Sequence, residues 1–326
     1  MQTLVLGATG FIGGHIAKEA LEQGWKVRAL RRTPASVGHL NGLPVEWVPG
    51  DLNDTASLAA AMQDVDTVFH AAAYYPTDSN PRKVPAQVRQ ARQEIANVLN
   101  AARQAGVRRL IYTSSLSTIG QPPANANRLA DERDVYQPGS LAKSGYYEAK
   151  IVMEQAVLQA ADDWLDAVVL CPTAVFGPGD VHLSIGGLLI AVARGLAIAW
   201  LPGEINVVDV RDVAAAHIAA VEHGRRGERY IIGGHNYTVR QALEIAARVA
   251  GVRPPRFGIP MAAIKALIAL GDTLPFLPLP ANHLRALPLW QGYNTAKAQR
   301  ELGLSPRPFE ETVRDALAWF REHGYL

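Results

Sequence analysis

A single cysteine, Cys171, stands in 326 residues, so no intrachain disulfide can form. No group of Cys or His shows the spacing that holds a metal ion. These absences predict a cytoplasmic, metal-free protein. A dominant charge is missing too: 32 Lys and Arg against 30 Asp and Glu leave a formal net charge of +2. Scattered in this way, the charges give no footprint for nucleic acid or for an anionic membrane. The most apolar stretch, "IGGLLIAVARGLAIAWLPG", is interrupted by Arg194 and by glycines, short of the roughly twenty apolar residues a membrane span needs, and is expected to form a buried or interface helix. Strand-like sequence begins by Thr3, leaving no room for a charged segment followed by an apolar signal. There is no internal repeat and no tail of disordered composition.

What the chain does have is apolar sequence in an ordered arrangement. Hydrophobic residues make up 48% of it, enough for a sizeable core. Short apolar runs alternate with helical patterns: "TLVLG", then Phe11 to Gln23, "KVRAL", "VEWV", "TVFHAA", Val84 to Ala105, "RRLIYTSS", a helix near Lys143 to Ala161, and "DAVVLCP". Strands that are apolar throughout and separated by helices predict a parallel sheet covered on both faces, a doubly wound α/β fold of the Rossmann type.

After Pro172 the texture becomes rich in Gly and Pro, in "FGPGD" and again in "DTLPFLPLPANHLRALPLW", which predicts short helices and loops in a second, smaller, mostly helical lobe. "INVVDV" and "ERYIIGG" read as strands returning to the sheet. The expected division is residues 1–172 plus about 205–232 for a dinucleotide-binding domain, and about 173–204 plus 233–326 for a substrate lobe. A last helix from Phe309 carries Phe309, Val313, Ala316, Leu317 and Phe320 on one face, with Gly324 as its stop.

Gly7, Gly10 and Gly13 follow the first apolar run at three-residue spacing. In a first strand-to-helix turn such glycines permit a tight bend, let backbone N–H groups approach a pyrophosphate, and let the helix pack on the strand. The helix N-terminus adds partial positive charge for the phosphates. At the end of the second strand, "KVRALRRT", the carboxylate that would bind a ribose 2′-hydroxyl is absent. Arg31 and Arg32 stand there instead, and guanidinium groups suit a 2′-phosphate. The reading is NADP(H) in preference to NAD(H).

In "GYYEAKIVMEQAVLQAA", Tyr146 and Lys150 are i and i+4 and meet on one helix face. Ala149, Met153, Ala156, Val157 and Ala160 form an apolar stripe; Tyr146 lies inside that arc, Lys150 at its edge and Tyr147 on the flank. A lysine beside a buried stripe requires a partner; a cofactor ribose and a tyrosine oxygen are suitable. A phenol is a weak acid near neutrality, and a lysine cation together with an oxidised nicotinamide favours its phenolate, which makes Tyr146 a general acid or base. "RLIYTSSLSTIG" places Thr113, Ser114, Ser115 and Ser117 at the carboxyl end of a strand, where open α/β sheets bind ligands. Ser115, with Ser117 in reserve, is the hydroxyl expected to orient the substrate oxygen.

Together these segments resemble the extended short-chain dehydrogenase/reductase family, also described as NAD-dependent epimerase/dehydratases, and within it dihydroflavonol-4-reductase-like proteins and hopanoid-associated sugar epimerases. The likeness covers nearly the whole chain. "GATGFIGGHI" resembles the family's cofactor loop, implying contacts from Gly7, Thr9, Gly10, Phe11, Ile12 and Gly13. "GDLND" implies Asp51 and Leu52 near adenine, "VFHAAA" implies Ala71 and Ala72 beside the ribose, and "YTSS" and "YYEAK" match the catalytic segments, with Thr113 and Lys150 also on the cofactor. "PTAVFGPGD" implies Pro172 and Thr173 at the nicotinamide carboxamide. "VVDVRDVAAAH", "GERYIIGG" and "ALAWFREHGYL" extend the likeness. Three features depart from it. Ala91 in "QARQEI" stands where relatives often carry asparagine, "NVVDVRDVA" lacks an upstream arginine common in sugar-nucleotide enzymes, and no Asp-Glu pair of the dehydratase kind adjoins the serine loop.

The leading reading is an oxidoreductase that moves a hydride between nicotinamide and a carbonyl or secondary alcohol carbon of a small molecule. Tyr146 exchanges the proton, Lys150 holds the ribose, and Ser115 orients the oxygen. A sugar-nucleotide epimerase with retained NAD(H) and a non-catalytic nucleotide sensor are the alternatives. Trp200 and Trp290 are candidates for lining an apolar pocket in the second lobe. A second apolar flank on the catalytic helix, Tyr147, Ile151 and Leu158, predicts a homodimer formed by that helix and the Val84 to Ala105 helix.

Overall fold

A computed structural model describes residues 1–72, 76, 80–273, 284 and 287–326; Ala73 of "VFHAAA" and residues 274–283 and 285–286 of the proline-rich run lie outside the described residues. The central sheet has seven strands: β1 (Gln2–Leu6), β2 (Lys26–Arg31), β3 (Val45–Pro49), β4 (Thr67–His70), β5 (Arg109–Thr113), β6 (Asp166–Pro172) and β10 (Arg229–Ile232). Their order is β3-β2-β1-β4-β5-β6-β10 and every pairing is parallel. The chain therefore reverses its direction of travel between β1 and β4, and at such a switch the loops after the two strands part and leave a crevice.

Burial on both faces explains why β1, β4, β5 and β6 read as nearly unbroken apolar runs, while the edge strand β3 is only partly buried. One face holds Leu4, Leu6, Val68, Leu110 and Val169 against helices α2 (Thr55–Ala61), α3 (Val84–Gln104) and α4 (Gly145–Asp163) through Leu58, Ile95, Val98, Val152 and Val157. The other face holds Val5, Phe69, Ile111 and Leu170 against α1 (Phe11–Glu22) and α6 (Val210–His223) through Ile16, Ala17, Val213 and Ala216. Each fully buried large aliphatic side chain contributes about 1.5–3 kcal/mol. These two cores fix the strand ends that build the site.

The two strands expected to return to the central sheet part company. "ERYIIGG" returns to the central sheet as β10, but "INVVDV" does not. As β9 (Glu204–Asp209) it runs parallel to β7 (Ala174–Phe176) and antiparallel to β11 (His235–Thr238) in a separate three-stranded sheet. Val208 joins the core under α1 and α6, whereas Val207 faces a third core with α5 (Gly186–Ala193), α7 (Val239–Ala250) and the terminal helix Phe309–Glu322. A run buried on both faces identifies a strand without identifying its neighbour. The terminal helix buries Phe309, Val313, Ala316, Leu317 and Phe320, the face its spacing specifies.

Of the long apolar stretch, only Gly186–Ala193 is helical; Leu189, Ile190 and Val192 are buried, while Leu196 and Ile198 beyond the break at Arg194 are exposed. Among the described residues no helix is long and apolar enough to cross a membrane.

Candidate active site

The turn after β1 is built on two steric requirements. Gly7 has φ +92° and faces the segment after β4 so closely that a Cβ there would stand 2.8 Å from the Ala72 nitrogen. Gly13 brings α1 against the turn, since a Cβ on it would stand 2.2 Å from the Gly7 carbonyl oxygen. Side chains at either position would push apart the elements that form the crevice. Gly10 begins α1 with no side-chain cap, and no acidic residue occupies the first turn. The early N–H groups, those of Phe11 and Ile12 included, are thus available to an anion. A cradle that a methyl group would fill, beside an uncapped helix start, fits a dinucleotide diphosphate.

Two loops close around this helix start. His15 Nε2 donates to the Pro178 carbonyl at 2.8 Å, and its ring lies 4.8 Å from that of His39, in the loop after β2. Burial, with help from His39, holds His15 down to about 4, so both loops meet α1 through a neutral imidazole at pH 7. Thr9 sits in the turn below.

At the end of β2 the two arginines separate. Arg31 donates to the Pro34 carbonyl and its guanidinium lies 5.2 Å from the centre of the Trp47 ring, a cation–π contact, whereas Arg32 is exposed. Asp51 accepts from Asn53 N at 2.8 Å and Asn53 Nδ2 at 2.9 Å, which closes its own turn after β3. Leu52 packs on the core under α2 and α3, and its carbonyl accepts from Asn97 Nδ2 at 2.9 Å.

The reactive side chains meet at the carboxyl end of β5. The Tyr146 phenol donates to Ser115 Oγ at 3.1 Å, and the same oxygen accepts from Ser117 N at 3.2 Å. Ser115 therefore caps the short 3-10 turn Leu116–Thr118 and touches the tyrosine, while Ser117 is buried behind it. One turn after Tyr146, Lys150 Nζ donates to the Thr113 carbonyl at 3.3 Å. Burial pulls Lys150 down to about 8, against the opposing influence of Glu154 and Cys171. Thr113 is held from its other side by His217. Nδ1 of that ring lies 2.7 Å from the Val213 carbonyl, which can only accept, so Nε2 is the free lone pair and the Thr113 hydroxyl donates to it at 2.8 Å. Burial lowers His217 to about 4, keeping it neutral. At the end of β6, beside Pro172, Thr173 donates to Asn206 Oδ1 at 2.8 Å.

Tyr147 is more enclosed than a single apolar stripe implies. It is buried, Tyr146 is half-buried, and the two rings stand edge-on with centroids 6.0 Å apart. Burial, together with Tyr293, drives the Tyr147 phenol upward, the wrong direction for proton exchange at neutrality. Ile151 is buried as well. Of the flank expected to seat a second subunit, Tyr147 and Ile151 are thus covered within the chain, while Leu158 is half-buried.

Sequence reasoning missed the support beneath the tyrosine. Glu154, one turn after Lys150, accepts from Ser114 Oγ and, at 2.6 Å, from Thr118 Oγ1. It also forms a buried ion pair with Arg229 at 2.8 Å, and Arg229 donates in turn to the Thr118 carbonyl at 3.0 Å. This network pins the serine loop to α4 and to β10. A carboxylate on the second apolar flank, beside Tyr147 and Leu158, was the available signal, since a buried charge demands a partner. His70, at the end of β4, was missed too; it is fully buried and held down to about 3 by burial and then by Lys150. Ala91, where relatives often carry asparagine, is buried in the apolar core.

Comparison with known proteins bears on this geometry. The profile of the NAD dependent epimerase/dehydratase family matches residues 3–233. The chain is 34% identical over 336 residues to a putative dihydroflavonol 4-reductase of Synechocystis, covering 99% of this chain and 95% of the relative. It is 33% identical over 334 residues to sterol demethylase protein B of Methylococcus capsulatus, covering 100% of each. Among solved structures, PA4631, a nucleoside-diphosphate-sugar epimerase from Pseudomonas aeruginosa, superposes with a TM-score of 0.85 at 26% identity, over 100% of this chain and 99% of that one.

Proposed function

From the premise that this chain belongs to the NAD dependent epimerase/dehydratase family, an extended short-chain dehydrogenase/reductase and an NAD(P)-dependent oxidoreductase, we propose that it is an NADP(H)-dependent carbonyl reductase. The observation that carries this reading is the Tyr146 phenol in contact with Ser115, one helical turn from a buried Lys150, at the strand ends beside the glycine turn. When bound, the dinucleotide supplies the hydride or accepts it. Ser115 donates to the substrate carbonyl oxygen and aligns it. Tyr146 then gives its proton to that oxygen as the carbon becomes an alcohol carbon, and takes it back in the reverse direction. Lys150, fixed by the Thr113 carbonyl, holds the ribose hydroxyls and places positive charge beside the phenol.

The first turn of α1 would hold the diphosphate, with Gly7, Thr9, Gly10, Phe11, Ile12 and Gly13 around it. Ala71 and Ala72 would border the ribose, Asp51 and Leu52 the adenine, and Pro172 and Thr173 the carboxamide. Exposed Arg32, with no carboxylate at the end of β2, supports the 2′-phosphate form. A cytoplasmic location, in keeping with one buried thiol, belongs to the same reading. A homodimer through α3 and α4 belongs to it as well, and sedimentation at micromolar concentration giving a monomer mass would remove it.

The likeness to a nucleoside-diphosphate-sugar epimerase favours a second reading, in which the hydride returns to the other face of a transient ketone. Oxidation of NADPH and NADH against aldehydes, ketones and sugar nucleotides separates the two. Stoichiometric NADPH consumption with a carbonyl substrate supports the reductase; tightly retained NAD(H) with no net consumption supports the epimerase.

A further inference from the structure

The whole-chain charge of +2 conceals a local excess. Residues 181–203 and 245–271 contain no aspartate or glutamate, yet they carry Arg194, Arg248, Arg253, Arg256 and Lys265. Arg248 faces Glu310 at 3.7 Å. Arg194, Arg253, Arg256 and Lys265 are exposed, and among the described residues Arg194 donates only to a neutral carbonyl, that of Tyr325.

The same two segments hold the most exposed large apolar side chains among the described residues: Leu196 at 66%, Ile198 at 61% and Phe257 at 56%. β8 (Ala199–Trp200) and β12 (Phe257–Gly258) bring them together as a two-stranded ribbon. Phe257 pairs with Ala199, and the Arg256 N–H donates to the Ile198 carbonyl at 2.9 Å. Successive strand residues point to opposite faces, so Ile198 and Phe257 project from opposite sides of the ribbon.

After Ile259 and Pro260, helix α8 (Met261–Thr273) buries Ile264 with Leu284 and Leu287 and leaves Ala262, Ala263, Ala266 and Leu267 exposed, with Lys265 among them. An apolar helix is ordinarily buried or in lipid, and exposed apolar groups rimmed by charge mark a contact surface. A folded partner presents one surface and covers one side of a ribbon. A fluid bilayer boundary surrounds an apolar tip on every side, and its anionic headgroups complement the exposed Arg194, Arg253, Arg256 and Lys265.

We propose that the β8–β12 ribbon and α8 form a peripheral docking surface for an anionic lipid bilayer. Leu196, Ile198 and Phe257 enter the headgroup–acyl boundary, and Arg194, Arg253, Arg256 and Lys265 engage lipid phosphates. The balanced total charge that argued against a membrane partner averaged this patch away.

The test is sedimentation of the full chain with vesicles of phosphatidylcholine alone and of phosphatidylcholine mixed with phosphatidylglycerol. The wild type is expected to sediment with the mixed vesicles and to be released by added salt. Ile198→Ser with Phe257→Ser, and separately Arg253→Glu with Arg256→Glu, should each lower vesicle affinity about tenfold or more while keeping the wild-type melting temperature. Lys265→Glu, on an exposed helix face, should weaken binding to a lesser degree and serves if either double variant fails to fold. Absence of the wild type from the mixed-vesicle pellet overturns the proposal, as does unchanged binding by the folded variants. A dimer mass for the wild type that Ile198→Ser with Phe257→Ser abolishes, without vesicle binding, assigns the surface to a second copy and also overturns it.

Discussion

Helices α4 and α8 invert the usual relation between polarity and burial. α4 carries Glu148, Lys150 and Glu154, and all three are buried; α8 has Lys265 and Asp272 as its only charged residues, yet Ala262, Ala263, Ala266 and Leu267 are exposed. Each buried charge of α4 has a fixed counterpart. Glu148 accepts from Gly139 N and Leu141 N, both at 2.7 Å, Lys150 holds the Thr113 carbonyl, and Glu154 pairs with Arg229. Charge is tolerated inside where the surroundings are arranged to receive it, as a reaction site requires. Apolar surface left outside on α8 calls instead for a medium the described residues do not supply.

Removing a charge from each helix sharpens the contrast. Glu154→Ala leaves Arg229 buried without its carboxylate, and breaking a buried pair from one side costs about 3–5 kcal/mol; chemical denaturation should register that loss, and a value under about 1 kcal/mol would mean that water reaches the network. Next in size is the pH response of Lys150. Its folded pKa of about 8 lies below the unfolded value of about 10.4, so between those limits the unfolded chain binds more protons. The stability difference between wild type and Lys150→Met, measured without cofactor, should therefore shift in favour of wild type as pH rises through that window, a comparison that cancels the opposite slope contributed by the buried Cys171 thiol, which burial pushes up to about 12. Smallest is Lys265→Ala, on an exposed face of α8, which should change stability by no more than about 0.5 kcal/mol. A larger loss in the same denaturation experiment would show that α8 leans on its charge and would break the comparison.

What the sequence discloses follows from the range of the interactions involved. The inner strands β1, β4, β5 and β6 were readable because burial on both faces leaves a nearly unbroken apolar run, and the Tyr146–Lys150 pairing because four residues make about one helical turn. β9 was readable as a strand but not as a member of the small sheet, since its partners β7 and β11 are fixed by tertiary packing. The Glu154–Arg229 pair joins α4 to β10 across the sheet, and no local pattern relates those positions. Nor does helix periodicity reveal that Tyr147 and Ile151 are enclosed, because a wheel diagram knows one core face while α4 has several. For the same reason the charge summed over the chain hid the basic rim around Ile198 and Phe257.

The central claim is that Tyr146, and not its buried neighbour, exchanges the proton. It is tested most directly by following NADPH oxidation with a carbonyl substrate in Tyr146→Phe and Tyr147→Phe side by side. The account predicts a fall of about 10²–10⁴-fold in kcat for Tyr146→Phe, with unchanged melting temperature, and turnover within a few-fold of wild type for Tyr147→Phe. Full turnover by Tyr146→Phe, or its loss only in Tyr147→Phe, would contradict it.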